Sequence, residues 1–406
     1  MPRAEALLMA MLAVPGRSGR ESAVMNLVRS ELLAAGAPEE ALRFDDLPTR
    51  SPHGGEVGNL VLKLPGTCAG PRRLLMAHVD TVSICEGARP VRRGRWVVPA
   101  DKHTGLGADD RAGASVVLST ALEILRSKLP HPPLTFLWTV QEELGLFGAR
   151  HLRVGLLGKP RLAFNFDGGR SSKLSVGATG GYRMTIQVRG RASHAGGAPE
   201  KGISAIVVAS LAVAELQTEG WHGRIEKKGR QGTSNVGLIR GGDATNVVTP
   251  EVTIHAEARS HDPIFRARIV RRIEQAFRQA ALEVRNDQGA CGKVKFDGRL
   301  DYEAFVLQGN EPCLGAAETA IRALGMDPER SVSNGGLDAN WMVVHGIPTV
   351  TLGSGQMNPH TTSERLDMHE FRRSLQIALL LATGSEHAAP ARSAAVTPGN
   401  RGSVGI

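Results

Sequence analysis

Four stretches of the chain are apolar runs with no charged residue: positions 74–77 (LLMA), 134–140 (LTFLWTV), 162–166 (LAFNF) and, much later, 348–352 (PTVTL). Strands of this kind must be covered on both faces, as the parallel strands of α/β sheets are. Helical stretches such as 112–126 alternate with them. Between these blocks the texture changes. Tyr182, Met184, Ile186 and Val188 alternate with Arg183, Thr185, Gln187 and Arg189. Val252, Ile254, Ala256 and Ala258 alternate with Thr253, His255, Glu257 and Arg259. Period two marks a half-buried antiparallel sheet with one wet face. A helix is predicted over 203–217. A second begins at Asp262, an N-cap with Pro263 at the first helical position, and carries Phe265, Ile269, Ile273, Ala276, Phe277, Ala280 and Val284 at helical spacing.

The predicted architecture is α/β, a mostly parallel sheet with helices on both faces, into which an α+β unit of the split-βαβ kind is inserted. The catalytic domain is discontinuous, 1–177 and 301–386, and the inserted unit, a lid or dimerisation domain, covers 178–300. Residues 387–406 are rich in small residues and read as a disordered tail. The opening MPRAEALLMAMLAVPG has the look of a leader, but Glu5 interrupts it and a second amphipathic helix follows, so it is read as the first helix of the mature protein.

At 406 residues with 41% hydrophobic and 22% charged residues, the composition is that of a globular protein. No apolar stretch is long enough to span a bilayer, so no membrane partner is expected. The net charge of +9 invites a nucleic-acid reading, yet only 4% of residues are aromatic and no nucleic-acid module appears. The basic residues of 266–272 fall on a solvated helix face. Cys68, Cys85, Cys291 and Cys313 are scattered without a CxxC pair, which suits the reducing cytoplasm and argues against a thiolate zinc site.

The chemistry lies at the carboxyl ends of the apolar strands, where open α/β sheets bind ligands. Glu142 and Glu143 follow 134–140; two adjacent acids there must be desolvated next to like charge, so a positive group is expected beside them. His78 and Asp80 follow 74–77, Asp167 follows 162–166, His360 comes soon after 348–352, and Asp109 opens the helix at 112–126. Each alone reads more simply as a cap or a hydrogen-bonding partner; their shared placement points to a binuclear metal site. Imidazole and carboxylate ligands favour zinc, with manganese or cobalt as alternatives. A water held between two such ions becomes a nucleophile near neutral pH, and the spare carboxylate of the Glu pair can take its proton.

HVDTV, GADDRAG, QEELGLFGA, FDGG and NPHTTSE occur in the order found in the co-catalytic zinc exopeptidases. The chain resembles that family, which includes peptidase T, carboxypeptidase G, aminoacylase and acetylornithine deacetylase, and GADDRAG and FDGG are most similar to peptidase T-like members. The resemblance implies that His78 and Asp167 hold one metal, Glu143 and His360 the other, and Asp109 bridges them. It implies Glu142 as general base, Asp80 as the acid that orients His78, and a cis peptide between Asp109 and Asp110. In the inserted unit it implies His194 in oxyanion stabilisation, at times across a dimer interface, and Asn246 and Arg259 in substrate contact. Glu364 reads either as a support for the centre or as a surface charge. Asn334 departs from the family: peptidase T has an arginine there, thought to clamp a peptide carboxylate, and asparagine cannot make that charged grip. The implied activity is removal of an N-terminal residue from short peptides by a metal-bound hydroxide. An amidohydrolase or deacylase of N-acyl amino acids, or a carboxypeptidase, would share the same chemistry, and a non-catalytic metal-binding relative is the reading from another class. A homodimer through the inserted unit is expected.

Overall fold

The computed structural model describes residues 1–384. The tail predicted at 387–406 lies outside the described residues. A nine-stranded sheet forms the larger layer. In its middle, Leu134–Thr139, Arg73–His78, Leu162–Phe166 and Thr349–Leu352 lie side by side and parallel. Antiparallel strands flank this block, Leu60–Leu64 on one side and Lys173–Ala178 on the other. The missing alternation now has its cause. Leu75, Phe136 and Phe164 face one hydrophobic cluster, and Leu74, Met76, Leu137 and Ala163 face another. Each such buried side chain stabilises the fold by about 1.5–3 kcal/mol.

Residues from Gly180 to Tyr302 build a separate five-stranded antiparallel sheet. Its spatial order is Gly223–Lys227, Arg230–Arg240, Glu251–Ser260, Gly180–Arg189, Lys293–Tyr302. Helices Ala205–Thr218 and Pro263–Glu283 cover one face over a core of Met184, Ile186, Ile254, Phe265 and Phe277. Asp262 caps the second helix, accepting from the N–H groups of Ile264 and Phe265 at 2.9 and 3.1 Å.

Two features were not legible as pattern. The edge hairpin of the inserted sheet turns at Lys228 and Gly229, both with positive φ, and its strand Gly223–Lys227 buries only Ile225. A polar edge hairpin lacks the hydrophobic alternation that announces a strand. A third sheet of four short strands joins Pro90–Arg93, Trp96–Pro99, Arg365–Asp367 and Gln356–Met357. Strands of two to four residues are too short to show a period. All four cysteines are free. No helix among the described residues is long and apolar enough to cross a membrane.

Candidate metal centre

The ends of the parallel strands converge on one acidic pocket. His78 is the last residue of its strand. Its Nδ1 lies 3.1 Å from the main-chain oxygen of Asp80, which directs Nε2 towards Oδ1 of Asp109 at 3.3 Å and Oδ1 of Asp167 at 3.9 Å. On the far side, His360 Nε2 lies 3.2 Å from Oδ2 of Asp109 and 2.8 Å from Oε1 of Glu143. The Asp109 carboxylate therefore stands between the two imidazoles, one oxygen to each. Three groups of potential ligand atoms, each mutually within 4.8 Å, overlap here: His78–Asp109–Asp167, Asp109–Glu143–His360 and His78–Glu142–Glu143.

Local backbone features aim these side chains. The Asp109–Asp110 peptide is cis, as the family resemblance implies, and both residues leave helical geometry at the start of Ala108–Ser127. Gln141 sits at positive φ just before the Glu pair, its side chain anchored to Ser51 and to Gly54 O. His360 also has positive φ, in a loop closed by the Gln356–Leu366 and Met357–Arg365 pairs. Left-handed backbone at a bulky residue persists only where surrounding structure fixes it, and such residues gather at functional sites.

Asp80 and Glu364 are the hidden scaffold. Asp80 lies next to His78, with its Oδ1 3.5 Å from Nδ1, but its closer partners are Ser18 Oγ at 2.6 Å and the N–H groups of Glu142 and Glu143 at 3.0 and 3.2 Å. It fixes the loop that carries the Glu pair. Glu364, open between two roles from sequence, is 1% exposed and accepts from the N–H groups of Leu106, Gly107 and Asp109 at 2.8, 2.7 and 3.0 Å. Its carboxylate holds the Asp109 loop by charge-assisted bonds. Nothing in the order of residues reveals that a carboxylate four positions after His360 turns inward.

The buried acids and imidazoles shift one another strongly. Burial drives Glu142 well above the usual carboxylate range, and Asp167 up to about 7, with the Asp109 charge adding to it. Burial acts the same way on Glu143, partly opposed by His360. At Asp109 burial is overcome by hydrogen bonds from His360 and His78, which hold it below the ordinary range. His360 in turn is pushed up to about 10 by Asp109 and Glu143. The neighbouring carboxylates raise the proton affinity of His78 as well, which marks the centre as one that attracts positive charge. Four carboxylates and two imidazoles, without thiolate, suit two divalent cations sharing Asp109.

A cavity of about 510 Å³ opens over Asp109, Glu142, Glu143, Asp167 and His360 and is lined on its other side by Arg183, Arg259 and Tyr302. Sequence reasoning missed Tyr302. Its ring tip lies between Gly181 and Gly336, where a Cβ on either glycine would fall 2.7 or 2.6 Å from Cζ; the two glycine pairs at 180–181 and 335–336 were the available signal. Arg259 reaches the cavity and is paired with Glu257 at 2.9 and 3.1 Å. Asn334 turns away, its Oδ1 3.1 Å from His261. His194 and Asn246 are not brought to the centre. They adjoin one another, Ala195 N donating to Asn246 O at 2.8 Å, beyond the Arg189–Glu251 end of the inserted sheet, whereas Arg259 pairs with Gly181 at the other end. Eight strand residues separate those ends, about 26 Å at 3.3 Å per residue.

Residues 74–383 match peptidase family M20/M25/M40. YqjE of Bacillus subtilis is 33% identical over 341 residues, 84% of this chain and 87% of that protein. Carboxypeptidase G2 of a Pseudomonas species is 29% identical over 347 residues, 82% and 79% of the two chains. Among solved structures, a tripeptidase from Staphylococcus aureus superposes with a TM-score of 0.83 at 28% identity, covering 95% of this chain and 98% of that one. The aminopeptidase PepT of Bacillus cereus gives 0.77 at 30% identity, covering 94% and 98%.

The scaffold makes one direct prediction. Glu364→Gln replaces an acceptor-only group by one that sets N–H against N–H. Urea unfolding is expected to show a loss of about 1–3 kcal/mol, and equilibrium dialysis a 10- to 100-fold weaker affinity for divalent cation, by order of magnitude. Unchanged affinity would show that the Asp109 loop does not depend on this clamp.

Proposed function

The chain belongs to peptidase family M20/M25/M40, and from that premise we propose that this metallopeptidase removes the N-terminal residue of short peptides in the reducing cytoplasm. The observation that carries the reading is the Asp109 carboxylate shared between His78 and His360, with Glu142 beside them and outside the His360 pairing. His78 and Asp167 would hold one cation, Glu143 and His360 the other, with Asp109 common to both; zinc suits the donors, with manganese or cobalt as alternatives. When bound, two such ions supply Lewis acidity, which makes water a nucleophile near neutral pH and polarises the scissile carbonyl.

The remaining steps fall to the chain. Glu142 accepts a proton from the attacking water at its carboxylate and passes it to the leaving amine nitrogen. Burial raises the proton affinity of that carboxylate above that of an exposed glutamate, which strengthens it as a base. Asp80 keeps Glu142 in position through the main chain. His194 is prepared to donate: its Nδ1 accepts from Gly196 and Gly197 N–H at 3.2 and 2.9 Å, which leaves the proton on Nε2.

The distance of His194 from its own centre supports a second copy of the chain as its target. The outer face of helix Ala205–Thr218 exposes Ile206, Val207 and Leu211 at 43%, 45% and 43%, and Val247, bridged to His194, is 41% exposed. An apolar helix face beside the histidine is the surface a homodimer would cover. In that dimer the inserted unit, 178–300, brings His194 and Asn246 over the partner's cavity, while Arg259 serves its own.

Two experiments test this. Glu142→Gln is expected to keep two equivalents of metal and lose about 10²- to 10⁴-fold in kcat on a tripeptide; near-normal turnover contradicts the role. Mixing inactive Glu142→Gln with inactive His194→Ala is expected to restore about a quarter of wild-type activity, because half the dimers are mixed and each has one intact site. No recovery on subunit exchange means that His194 acts within its own chain or not at all.

A further inference from the structure

Two arginines on the open face of the inserted sheet have no part in the metal centre. Arg183 stands directly opposite Arg299 in the Gly180–Arg189 and Lys293–Tyr302 pair. Like charges in that position destabilise a sheet. Asp301 lies between them with its side chain 2% exposed, Oδ2 2.8 Å from Nε of Arg183 and Oδ1 2.9 Å from Nε of Arg299. It is the extra residue of a β-bulge, where the register shifts between Leu300 and Tyr302, and bulges re-aim side chains. One carboxylate balances one guanidinium, so the trio retains a positive charge. Arg259 differs, because its bidentate pairing with Glu257 balances it one to one.

The two guanidiniums are held ready. Arg299 lies over the Phe147 ring at 5.4 Å, and Arg183 Nη1 donates to Leu144 O at 3.3 Å. Both side chains remain 44% and 43% exposed. The surplus field is felt nearby: the pKa of His53 is lowered by burial first, then by Arg299 and Arg183. Arg183 also lines both the cavity over the metal centre and an adjoining depression of about 430 Å³ that it shares with Arg299. The one acid in that depression, Asp297, is paired with Lys295 at 2.8 Å. Leu144, whose carbonyl Arg183 reaches, is the residue after Glu143, so Arg183 joins the depression it shares with Arg299 to the wall of the metal-centre cavity.

We propose that Arg183 and Arg299 form a carboxylate-binding subsite that selects substrates bearing an acidic group close to the bond cleaved. This deepens the exopeptidase reading and rests on it. The carboxylate is either an acidic side chain or the peptide's own terminus, which the same guanidinium fork grips in either case. Such a subsite takes the place of the grip that Asn334, turned to His261, does not provide.

The test compares Leu-Glu-Gly with Leu-Gln-Gly, each with a free and an amidated C-terminus, on the metal-loaded protein. For wild type, at least one acid-to-amide ratio of kcat/KM is expected to be about tenfold or more; which ratio it is identifies the side chain or the terminus. In Arg183→Gln and in Arg299→Gln that ratio falls towards one, and Arg299→Lys restores part of it. A wild-type ratio near one, or a ratio unchanged in both glutamine variants, overturns the proposal, because a purely structural tether would slow all four peptides alike. Should wild type cleave none of the peptides, the exopeptidase reading fails separately, and calorimetric titration with glutarate decides the subsite. Binding to wild type that is lost in the double variant upholds it; absent or equal binding overturns it.

Discussion

One carboxylate, that of Asp109, stands 3.3 Å from one imidazole and 3.2 Å from another, with Glu142, Glu143 and Asp167 crowded around it. Bringing four acids together out of water is costly unless positive charge joins them. His78 and His360 stand against these acids, and their affinity for protons rises accordingly. Cations would relieve the same demand and free the imidazole lone pairs to act as ligands. The fold places strand ends, a helix start and a hairpin loop so that this demand arises at a single point.

Much of the surrounding structure keeps those acids from moving apart. Glu364 gathers three N–H groups of the loop before and at Asp109, and Asp80 gathers those of Glu142 and Glu143. Both are buried carboxylates that accept from several main-chain N–H groups, Asp80 also from the Ser18 hydroxyl and Glu364 from the Cys85 thiol, and so fix the position of the loops around them. The opposite wall of the cavity carries Arg183 and Arg259, so the cavity is acidic on one side and basic on the other.

The parts legible in the sequence were those governed by short-range rules. Continuous apolar strands announced a sheet covered on both faces, and acids just past their ends announced the centre. Asp262 followed by Pro263 marked a helix start that the structure bears out. What could not be read depends on the path of the chain in space. Glu364 stays open between a support for the centre and a surface charge until the hairpin around His360 is seen to turn it inward. The nearest contacts of Asp80 are with Ser18, 62 positions earlier, and with the Glu loop as many positions later. His194 has a suggestive sequence context, yet its place depends on the length of the inserted sheet. The bulge that joins Asp301 to two arginines appears only when strands are set in register.

The central claim is that Asp109 is shared by two cations. The direct measurement is anomalous X-ray diffraction from crystals of the zinc-loaded protein, recorded above and below the zinc absorption edge. Two edge-dependent peaks are expected, one between Asp109, His78 and Asp167 and the other between Asp109, Glu143 and His360. A single peak, or peaks that Asp109 does not touch, would contradict the account.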